Sequence, residues 1–326
     1  MARVWSEGFE MNDSVGYTTT GYISGVLVLD SNQYFYNTLA SGISEGYFRM
    51  RLYFTWSGSG GWVELYIMNG ATTLATIRFT ALSPITVSCN GMTDTGSFSL
   101  LELAWQEIEI HYKIDDTTGV LEINYEGTGI DCSVSGDTKV GTNSTFNQIY
   151  FFAVNNTGSN TKYIDDIALN DTAGGVDDSW CGDGRIIRLT PNDDVTTELT
   201  QFPALTDHHA DVDEYPADGD TTYVQGTVVD EEDLYELSAS GLVAADVDTI
   251  NRVWVESRSK DTVASGGEVA LFIVSDATEG TGADVVLSTT YNTKVMSQEF
   301  LQDPDGPAAW SVAALDALRA GVRTRA

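Results

Sequence analysis

Three polar residues of the sequence share one face of a predicted strand and have side chains suited to acid–base chemistry. Glu107, Glu109 and His111 alternate with apolar residues, so their side chains point to the same side of the sheet. Retaining glycosidases place two carboxyl groups about 5–5.5 Å apart, and same-face neighbours two positions apart on a strand approach that separation. The spacing therefore permits a hydrolase hypothesis.

The same strand resembles the Glu-x-Asp-x-Glu strand of jelly-roll β-glucanases, but it departs from it at two positions. Glu109 stands in the middle place and His111 in the last, so the family's nucleophile, helper and acid roles do not all carry over. Any half-buried strand also alternates polar and apolar residues. We therefore favour a solvated strand face, predict no catalytic residue and no enzyme activity, and retain the three residues as ligand-binding candidates.

A second group of candidates lies in a loop-rich acidic segment. It contains His208, His209, Asp211 and Asp213, which are residue types that ligate metals. Their spacing matches no zinc pattern and lacks the Gly and terminal Glu of a calcium-binding EF-hand loop. A solvated acidic loop is the favoured interpretation. These four residues remain metal candidates, calcium being the ion considered, and no other cofactor is predicted.

Aromatic residues are candidates for sugar binding because a flat ring can pack against a pyranose. The first part of the chain supplies Tyr34, Tyr36, Tyr53, Trp56, Trp62, Tyr66 and Trp105. Large aromatic residues dominate core burial, so most of these are expected in the core. Trp56 and Trp62 flank a Gly/Ser turn and are predicted to be the exposed pair.

The elements that must position these residues are mostly strands. Residues 105–126 form a predicted antiparallel hairpin, because two alternating runs are joined by the polar turn 115–119. Residues 149–154 are apolar on both faces, which predicts a strand in the middle of a sheet that is covered from both sides. Within residues 163–169, one of Asp165 and Asp166 is expected to point inward and form hydrogen bonds. A calcium ligand is the alternative for these two carboxylates.

The chain is predicted to be all-β, with two β-sandwich (jelly-roll) domains. Residues 1–173 form the first domain, residues 174–184 a Gly/Asp-rich linker, and residues 185–326 a second, smaller sandwich. One short helix is expected near the C-terminus. Ser311 would be its N-cap, Val312, Leu315 and Leu318 its apolar face, and Gly321 its terminator.

Charge and cysteine content exclude several classes of function. The chain has 16 basic and 48 acidic residues, a net charge of −32, which disfavours nucleic-acid and anionic-membrane binding. Cys89, Cys132 and Cys181 fit neither a metal knuckle nor a disulfide framework, so packed thiols are expected, with a Cys89–Cys132 disulfide as the alternative. The sequence shows neither a signal peptide nor a membrane span, so we expect synthesis in a host cytoplasm without membrane insertion.

Short motifs carry two resemblances. The first domain resembles concanavalin A-like, laminin-G-type jelly rolls in residues 5–10, in the hairpin 105–127 and in residues 163–167. The second domain is similar to C-terminal modules of tailed-bacteriophage virion structural proteins in residues 221–224, 233–237, 302–304 and 310–322. These resemblances imply a virion component exposed on the capsid or tail, as a decoration or fibre protein.

The implied partners are other virion proteins, further copies of this chain in the particle, and a host-surface polysaccharide. Many weak contacts from repeated copies would add up to avidity on a host surface. A receptor-binding adhesin proper and a jelly-roll glycan hydrolase are the alternatives to a decoration role.

Overall fold

The computed structural model describes residues 3–7, 27–29, 33–55, 61–155, 161–173, 178–204, 207–214, 219–263, 266–291, 295–296, 299–306 and 308–325. Trp56 and Pro307 lie outside these described residues. The chain divides into two compact units, residues 1–186 and residues 187–326. The linker predicted at 174–184 falls inside the first unit. Residues 178–184 are the part of this segment that the structure describes.

The first unit is built from antiparallel strands, as the alternating sequence pattern predicts. The strands are β1 Arg3–Glu7, β2 Leu27–Leu29, β3 Tyr34–Ile43, β4 Glu45–Phe54, β5 Gly61–Asn69, β6 Thr72–Thr80, β7 Pro84–Cys89, β8 Met92–Ser99, β9 Gln106–Lys113, β10 Gly119–Tyr125, β11 Ile130–Gly136, β12 Phe146–Asn155 and β13 Lys162–Asp171.

Two sheets are formed from these strands. Sheet A has the order β1-β13-β4-β9-β10-β11, with β2 also paired to β13, and sheet B has the order β3-β12-β5-β6-β7-β8. The predicted hairpin is confirmed as β9 and β10, with Tyr112 opposite Leu121 and Ile110 opposite Ile123. The strand predicted at 149–154 is confirmed within β12, which lies between β3 and β5. The prediction that it is covered from both sides is wrong, because Tyr150 and Phe152 are partly exposed.

One apolar core holds the two sheets together. Phe48 of sheet A contacts Phe151 of sheet B, with ring centroids 6.0 Å apart, and Tyr112 contacts Phe146 at 5.8 Å. Ile108 and Leu65 are fully buried in the same cluster. Burial of a large apolar side chain contributes roughly 1.5–3 kcal/mol, so this core stabilises the sandwich and leaves the outer faces of both sheets for other contacts.

The second unit has a smaller main sheet. Its strands are β14 Pro191–Thr197, β15 Thr200–Phe202, β16 Tyr223–Gln225, β17 Glu232–Leu237, β18 Glu256–Ser257, β19 Glu268–Ser275, β20 Thr278–Thr281, β21 Val285–Val286, β22 Val295–Met296 and β23 Arg319–Arg325. The main sheet has the order β14-β17-β23-β19-β20, with β21 paired to β19. Strands β15 and β16, and strands β18 and β22, form separate pairs. The described residues of this unit also form two 3-10 helices, His208–Asp211 and Ala244–Asp246, and one α-helix.

The expected C-terminal helix is present, but it is shorter than the sequence pattern predicts. Helix α1, Val312–Asp316, begins after Ser311, whose Oγ accepts a hydrogen bond from the amide N–H of Ala314 at 3.1 Å. Leu315 and Leu318 are buried. The prediction that Gly321 ends the helix is wrong, because Gly321 lies inside β23, between β17 and β19. A Cβ at this position would lie 2.4 Å from the carbonyl oxygen of Asp233, so this glycine permits the close strand packing.

No helix in the described part of the chain has the length and apolar character needed to cross a membrane. The three cysteines are free and buried, as packed thiols are expected to be.

Candidate functional sites

The strand face that carries Glu107, Glu109 and His111 is buried, so the expectation of a solvated face is wrong. The three residues are 5%, 4% and 9% exposed. Residues 178–186, here called the strap, lie against this outer face of sheet A. Strand alternation correctly placed the three side chains together, but it gave no signal that a segment about 70 residues later in the chain covers them.

The strap is attached by hydrogen bonds between its backbone and buried charged side chains. The Gly182 amide donates to Glu109 Oε1 at 2.8 Å, and the Gly182 carbonyl accepts from Arg49 Nη1 at 2.9 Å. Further along, the Ile186 amide donates to Asp166 Oδ1 at 2.8 Å. Glu109 is therefore used to hold the strap, which removes it from contact with an outside substrate.

Arg51 joins the same cluster from β4. Its Nη2 donates to Asp183 Oδ1 at 2.9 Å, and its Nε lies 3.8 Å from Glu107 Oε2 and 3.9 Å from Asp166 Oδ2. The prediction that one of Asp165 and Asp166 points inward is met by Asp166, which is 5% exposed. Its neighbour Asp165 accepts a hydrogen bond from the Asp166 amide at 2.7 Å. Both carboxylates thus have structural partners.

The proton affinities in this cluster are shifted by burial and by neighbouring charges. Burial, together with the hydrogen bond to Asp183 and the charge of that residue, raises the pKa of Glu107 to about 8. The hydrogen bond from Glu107 lowers the pKa of Asp183. The two carboxyl groups are close enough to titrate as a coupled pair, with the pKa raised at the buried Glu107 and lowered at the more exposed Asp183. Burial also raises the pKa of Glu109 and of Asp166.

His111 is held at the other end of this face. Its ring stacks on Tyr47 with centroids 4.2 Å apart and meets the edge of Trp180, which belongs to the strap, at 5.9 Å. Its Nδ1 lies 2.9 Å from Glu122 Oε2, and its Nε2 lies 3.0 Å from Glu45 Oε1. His111 therefore ties three neighbouring strands together.

The metal candidates of the second unit do not converge on one point. His208 Nδ1 lies 2.8 Å from Asp233 Oδ2, whereas His209 Nδ1 lies 3.2 Å from Asp194 Oδ1. Asp211 is buried and Asp213 is exposed. Among the residues that the structure describes, no group of three or more His, Cys, Asp or Glu side chains is placed to hold a metal ion. The two imidazoles instead attach the 3-10 helix His208–Asp211 to β14 and β17.

The outer face of sheet B carries a set of partly exposed aromatic side chains on three adjacent strands. We call this set the aromatic face; it consists of Tyr34, Tyr36, Trp62, Tyr66, Tyr150 and Phe152. The strand register brings them together, because Tyr150 is opposite Tyr36 on one side and Tyr66 on the other. Their neighbours along each strand, such as Phe35 and Phe151, point into the core and are fully buried.

Three of these rings are nearly parallel. Tyr150 lies 5.3 Å from Tyr34 and 6.0 Å from Tyr36, and the planes in each pair differ by 15° and 13°. Tyr66 lies 5.8 Å from Tyr150 with a tilt of 55°. Cross-strand aromatic pairs of this kind stabilise a sheet, and they also fix the orientation of the rings before any ligand binds.

An ion pair between the buried Glu64 and the exposed Arg78 borders the aromatic rings. Arg78 Nε donates to Glu64 Oε1 at 2.9 Å, and the Arg78 guanidinium lies 4.9 Å from the centre of the Trp62 ring. Burial acts to raise the pKa of Glu64, but hydrogen bonds from Tyr66 and Arg78 outweigh it and hold the pKa below its usual value. Burial and the Glu64 carboxylate raise the pKa of Tyr66. Glu64 is thus a fixed acceptor beside the aromatic face.

The prediction that most of the aromatic candidates lie in the core is wrong, because none of those that the structure describes is buried. Trp62, Tyr34, Tyr36 and Tyr66 lie on an outer face rather than in the core, where most of the candidates were expected. Trp62 is half-buried, and its proposed companion Trp56 lies outside the described residues. Tyr150 and Phe152 were missed because their strand reads as apolar on both faces. The available signal was the pairing of alternate aromatic residues in two strands, 34 and 36 with 150 and 152.

Comparison with family models and with the curated proteins found no match. Several solved structures are similar. A legume lectin-like domain from Entamoeba histolytica has 12% sequence identity and a TM-score of 0.39, and the match covers 52% of this chain and 97% of that one. The CBM2 module of the evolved Dit of Lactobacillus casei BL23 phage J-1 has 12% identity and a TM-score of 0.35, over 52% of this chain and 95% of that one.

A sialidase is also similar, with 9% identity and a TM-score of 0.39 over 47% of this chain. The match spans only 16% of the sialidase. At these identities and TM-scores the likenesses say nothing about the ligand or activity of this chain.

Proposed function

We propose that this chain is a non-enzymatic glycan-binding component of a bacteriophage virion. The observation that carries glycan binding is the aromatic face, where nearly parallel tyrosine rings remain partly exposed on a rigid sheet. Rings whose orientation is fixed in advance lose little conformational freedom on binding, which favours affinity.

The neighbouring groups supply polar contacts for the same ligand. The exposed side of Arg78 can donate hydrogen bonds to sugar hydroxyl groups while its inner side remains paired with Glu64. Tyrosine hydroxyl groups can both donate and accept. Since the first 175 residues contain 7 basic and 19 acidic residues, an uncharged glycan is preferred over a polyanionic one.

Replacement of Tyr150 by alanine tests the aromatic face directly. Tyr150 contacts Tyr34, Tyr36 and Tyr66, so its loss should weaken binding to a neutral oligosaccharide at least tenfold, about 1.4 kcal/mol. Binding of the full chain would first be measured on a glycan array and then by calorimetry with the strongest ligand. Tyr163→Ala is the matched control, because Tyr163 is a half-buried tyrosine on the other sheet. Equal affinity of Tyr150→Ala and the parent chain would refute this site.

We further propose that Glu107 and Glu109 do not catalyse glycan hydrolysis, since both are buried beneath the strap. A reducing-sugar assay on host polysaccharide should show no activity in the parent chain. Activity that disappears in Glu107→Gln would establish the hydrolase alternative instead.

The virion assignment draws its support from the motifs of the second domain and from the strongly acidic composition, which suits an outward-facing particle protein better than a DNA-contacting one. Antibody labelling of purified particles should place the chain on the outer surface in many copies. Its absence from salt-washed particles would exclude a structural role. Particles that lack the chain yet still adsorb fully to the host would support decoration over the adhesin alternative.

A further inference from the structure

One end of the first unit exposes six large apolar side chains. We call this set the apolar end; it consists of Leu82, Phe98, Leu101, Leu103, Trp105 and Ile130. Each is between 41% and 65% exposed. Single exposed apolar residues are ordinary on protein surfaces, whereas a contiguous group marks a contact surface for another molecule.

Hydrogen bonds show that these residues belong to one region. The Leu82 amide donates to the Leu100 carbonyl at 2.8 Å, which joins the turn after β6 to the segment before β9. The Phe98 amide donates to Asp131 Oδ1 at 3.1 Å, next to Ile130, and the Phe98 ring stacks on Tyr125 at 5.4 Å.

The segment that carries Leu101, Leu103 and Trp105 is held rigidly by a buried side chain. Gln106 is 2% exposed, and its amide accepts from the Leu101 N–H at 2.5 Å and donates to the Leu101 carbonyl at 2.8 Å. The Tyr125 hydroxyl donates to the same Gln106 oxygen at 2.7 Å. The apolar side chains are therefore presented by an ordered segment, which lowers the entropy lost on binding.

Two of the exposed leucines also have unfavourable backbone conformations. Leu82 has φ of 56° and Leu103 has φ of 55°, a region that glycine and asparagine occupy far more readily than leucine. Leu82 is 57% and Leu103 is 65% exposed, so each side chain keeps most of its surface in solvent at a backbone conformation that asparagine adopts more readily. Residues held in sparsely populated backbone conformations cluster at functional sites, so these two positions are candidates for a functional role.

The segments that carry the apolar end are acidic. Segments 81–105 and 125–137 contain no Lys or Arg and five acidic residues, Asp94, Glu102, Glu126, Asp131 and Asp137. Two copies facing each other through this surface would bring like charges together. A partner with basic residues around an apolar centre would complement it.

We propose that the apolar end is a docking surface for a different protein whose contact surface has apolar side chains surrounded by Lys and Arg. The surface is separate from the aromatic face, because it is built from the end of β8, the segments before β7 and β9 and the start of β11 rather than from β3, β5 and β12. The glycan-binding proposal and the docking proposal can therefore be confirmed or refuted independently of each other.

The proposal can be tested with a designed helical peptide of Leu and Lys as the probe. Fluorescence anisotropy with the full-length chain should show binding at least tenfold tighter than that of an oligolysine peptide of equal charge. A Leu/Glu peptide with the same apolar residues should not bind. The comparison with oligolysine separates docking from general attraction to a chain of net charge −32.

The variant Leu103→Asn supplies the decisive comparison, since asparagine suits the positive φ and leaves the charge unchanged. It should weaken binding of the Leu/Lys peptide at least fivefold, with a melting temperature equal to or above that of the parent chain. Val286→Asn, at an exposed valine of the second unit, should leave binding unchanged. Equal binding of the two cationic peptides, retained affinity in Leu103→Asn, or concentration-dependent self-association abolished by Leu103→Asn would each overturn the proposal.

Discussion

Glu107 lies beside the Asp183 carboxyl under the strap, and this environment, rather than its place on a strand, sets its proton affinity. Its pKa is raised to about 8, from an ordinary value of 4.5, mainly by burial. A carboxyl with this property in an open cleft would be a candidate general acid. Here the strap covers the Glu107 carboxyl, so its raised pKa affects the pH dependence of folding stability rather than catalysis.

Glu107 should make the first unit less stable as the pH rises. The unfolded carboxyl loses its proton near 4.5 and the folded one near 8, so between these values folding takes up a proton and the free energy of unfolding falls with pH. Glu107→Gln cannot titrate. At pH 9 it should be more stable than the parent by at least about 1.4 kcal/mol, the equivalent of one pKa unit, and the two should converge near pH 4.

Urea unfolding followed by tryptophan fluorescence from pH 4 to 9 measures this difference. The lowered pKa of Asp183 acts only below its ordinary value of 3.8, outside this window. Asp116→Asn removes an exposed carboxylate and serves as the control. Parallel pH profiles for Glu107→Gln and the parent would contradict a raised pKa at Glu107.

Asp233 gives a residue-scale prediction for the second unit. It is fully buried, and its two oxygens accept hydrogen bonds from the backbone of Glu198 and Leu199, from the Tyr235 hydroxyl and, at 2.8 Å, from His208. Asparagine would turn an NH₂ group toward donors, so Asp233→Asn should lower the free energy of unfolding by about 1–3 kcal/mol. Thermal unfolding checks this, with the exposed Asp248→Asn as control; an unchanged melting temperature would argue against the network.

At the scale of elements, the strap covers a polar part of the outer face of sheet A that would otherwise be open to solvent. It supplies the Gly182 peptide to Glu109 and Arg49 and the Asp183 carboxylate to Arg51. Removing one partner of a buried charged group leaves the other without compensation, which is costly. The strap and the strand face are therefore expected to open and close as one unit.

Gly184→Ala should lift the strap. A Cβ at this position would lie 2.4 Å from Arg49 Nη1, and the guanidinium cannot easily yield because it donates to the carbonyls of both Asp166 and Gly182. Cys181 is buried beside this contact, so its rate of alkylation should rise at least tenfold, which corresponds to about 1.4 kcal/mol.

Mass spectrometry of the alkylated peptides gives the rate for each cysteine separately. Cys89 and Cys132 lie in the core between the sheets and act as internal controls. Ser179→Ala is the matched control variant, because Ser179 is an exposed strap residue that uses its backbone carbonyl to accept from Asn170. Equal rates for Cys181 in Gly184→Ala and the parent would show that the strap tolerates the added methyl group.

At the scale of the whole molecule, a net charge of −32 should make stability depend on salt. Self-repulsion destabilises the compact state, and screening shortens its range from about 30 Å at 0.01 M salt to about 3 Å at 1 M. The melting temperature should therefore rise by several degrees as NaCl increases over this range. Calorimetry measures the melting temperature in NaCl, in KCl as a second salt and in sucrose as an uncharged control. The comparison shows whether screening of charge causes the rise. A fall in melting temperature, or an equal rise with sucrose at matched osmolality, would contradict it.

Much of the architecture followed from local patterns in the sequence. Alternation over 105–126 predicted the β9–β10 hairpin, and Ser311 marked the start of α1, because strand period and helix capping depend on residues close in sequence. The same reasoning failed at Gly321. Its role in a strand is set by β17 and β19, which lie far away in the chain.

For the sites, the sequence by itself determined which side chains share a strand face, whereas tertiary structure decided what lies over each face. Period-two alternation put Glu107, Glu109 and His111 together, but only long-range contacts placed the strap across them. Likewise the aromatic residues of β3, β5 and β12 became one surface only through their strand register. A strand's pattern reports that one side is apolar; whether the other side meets water, a ligand or a later segment of the chain depends on contacts that no local pattern encodes.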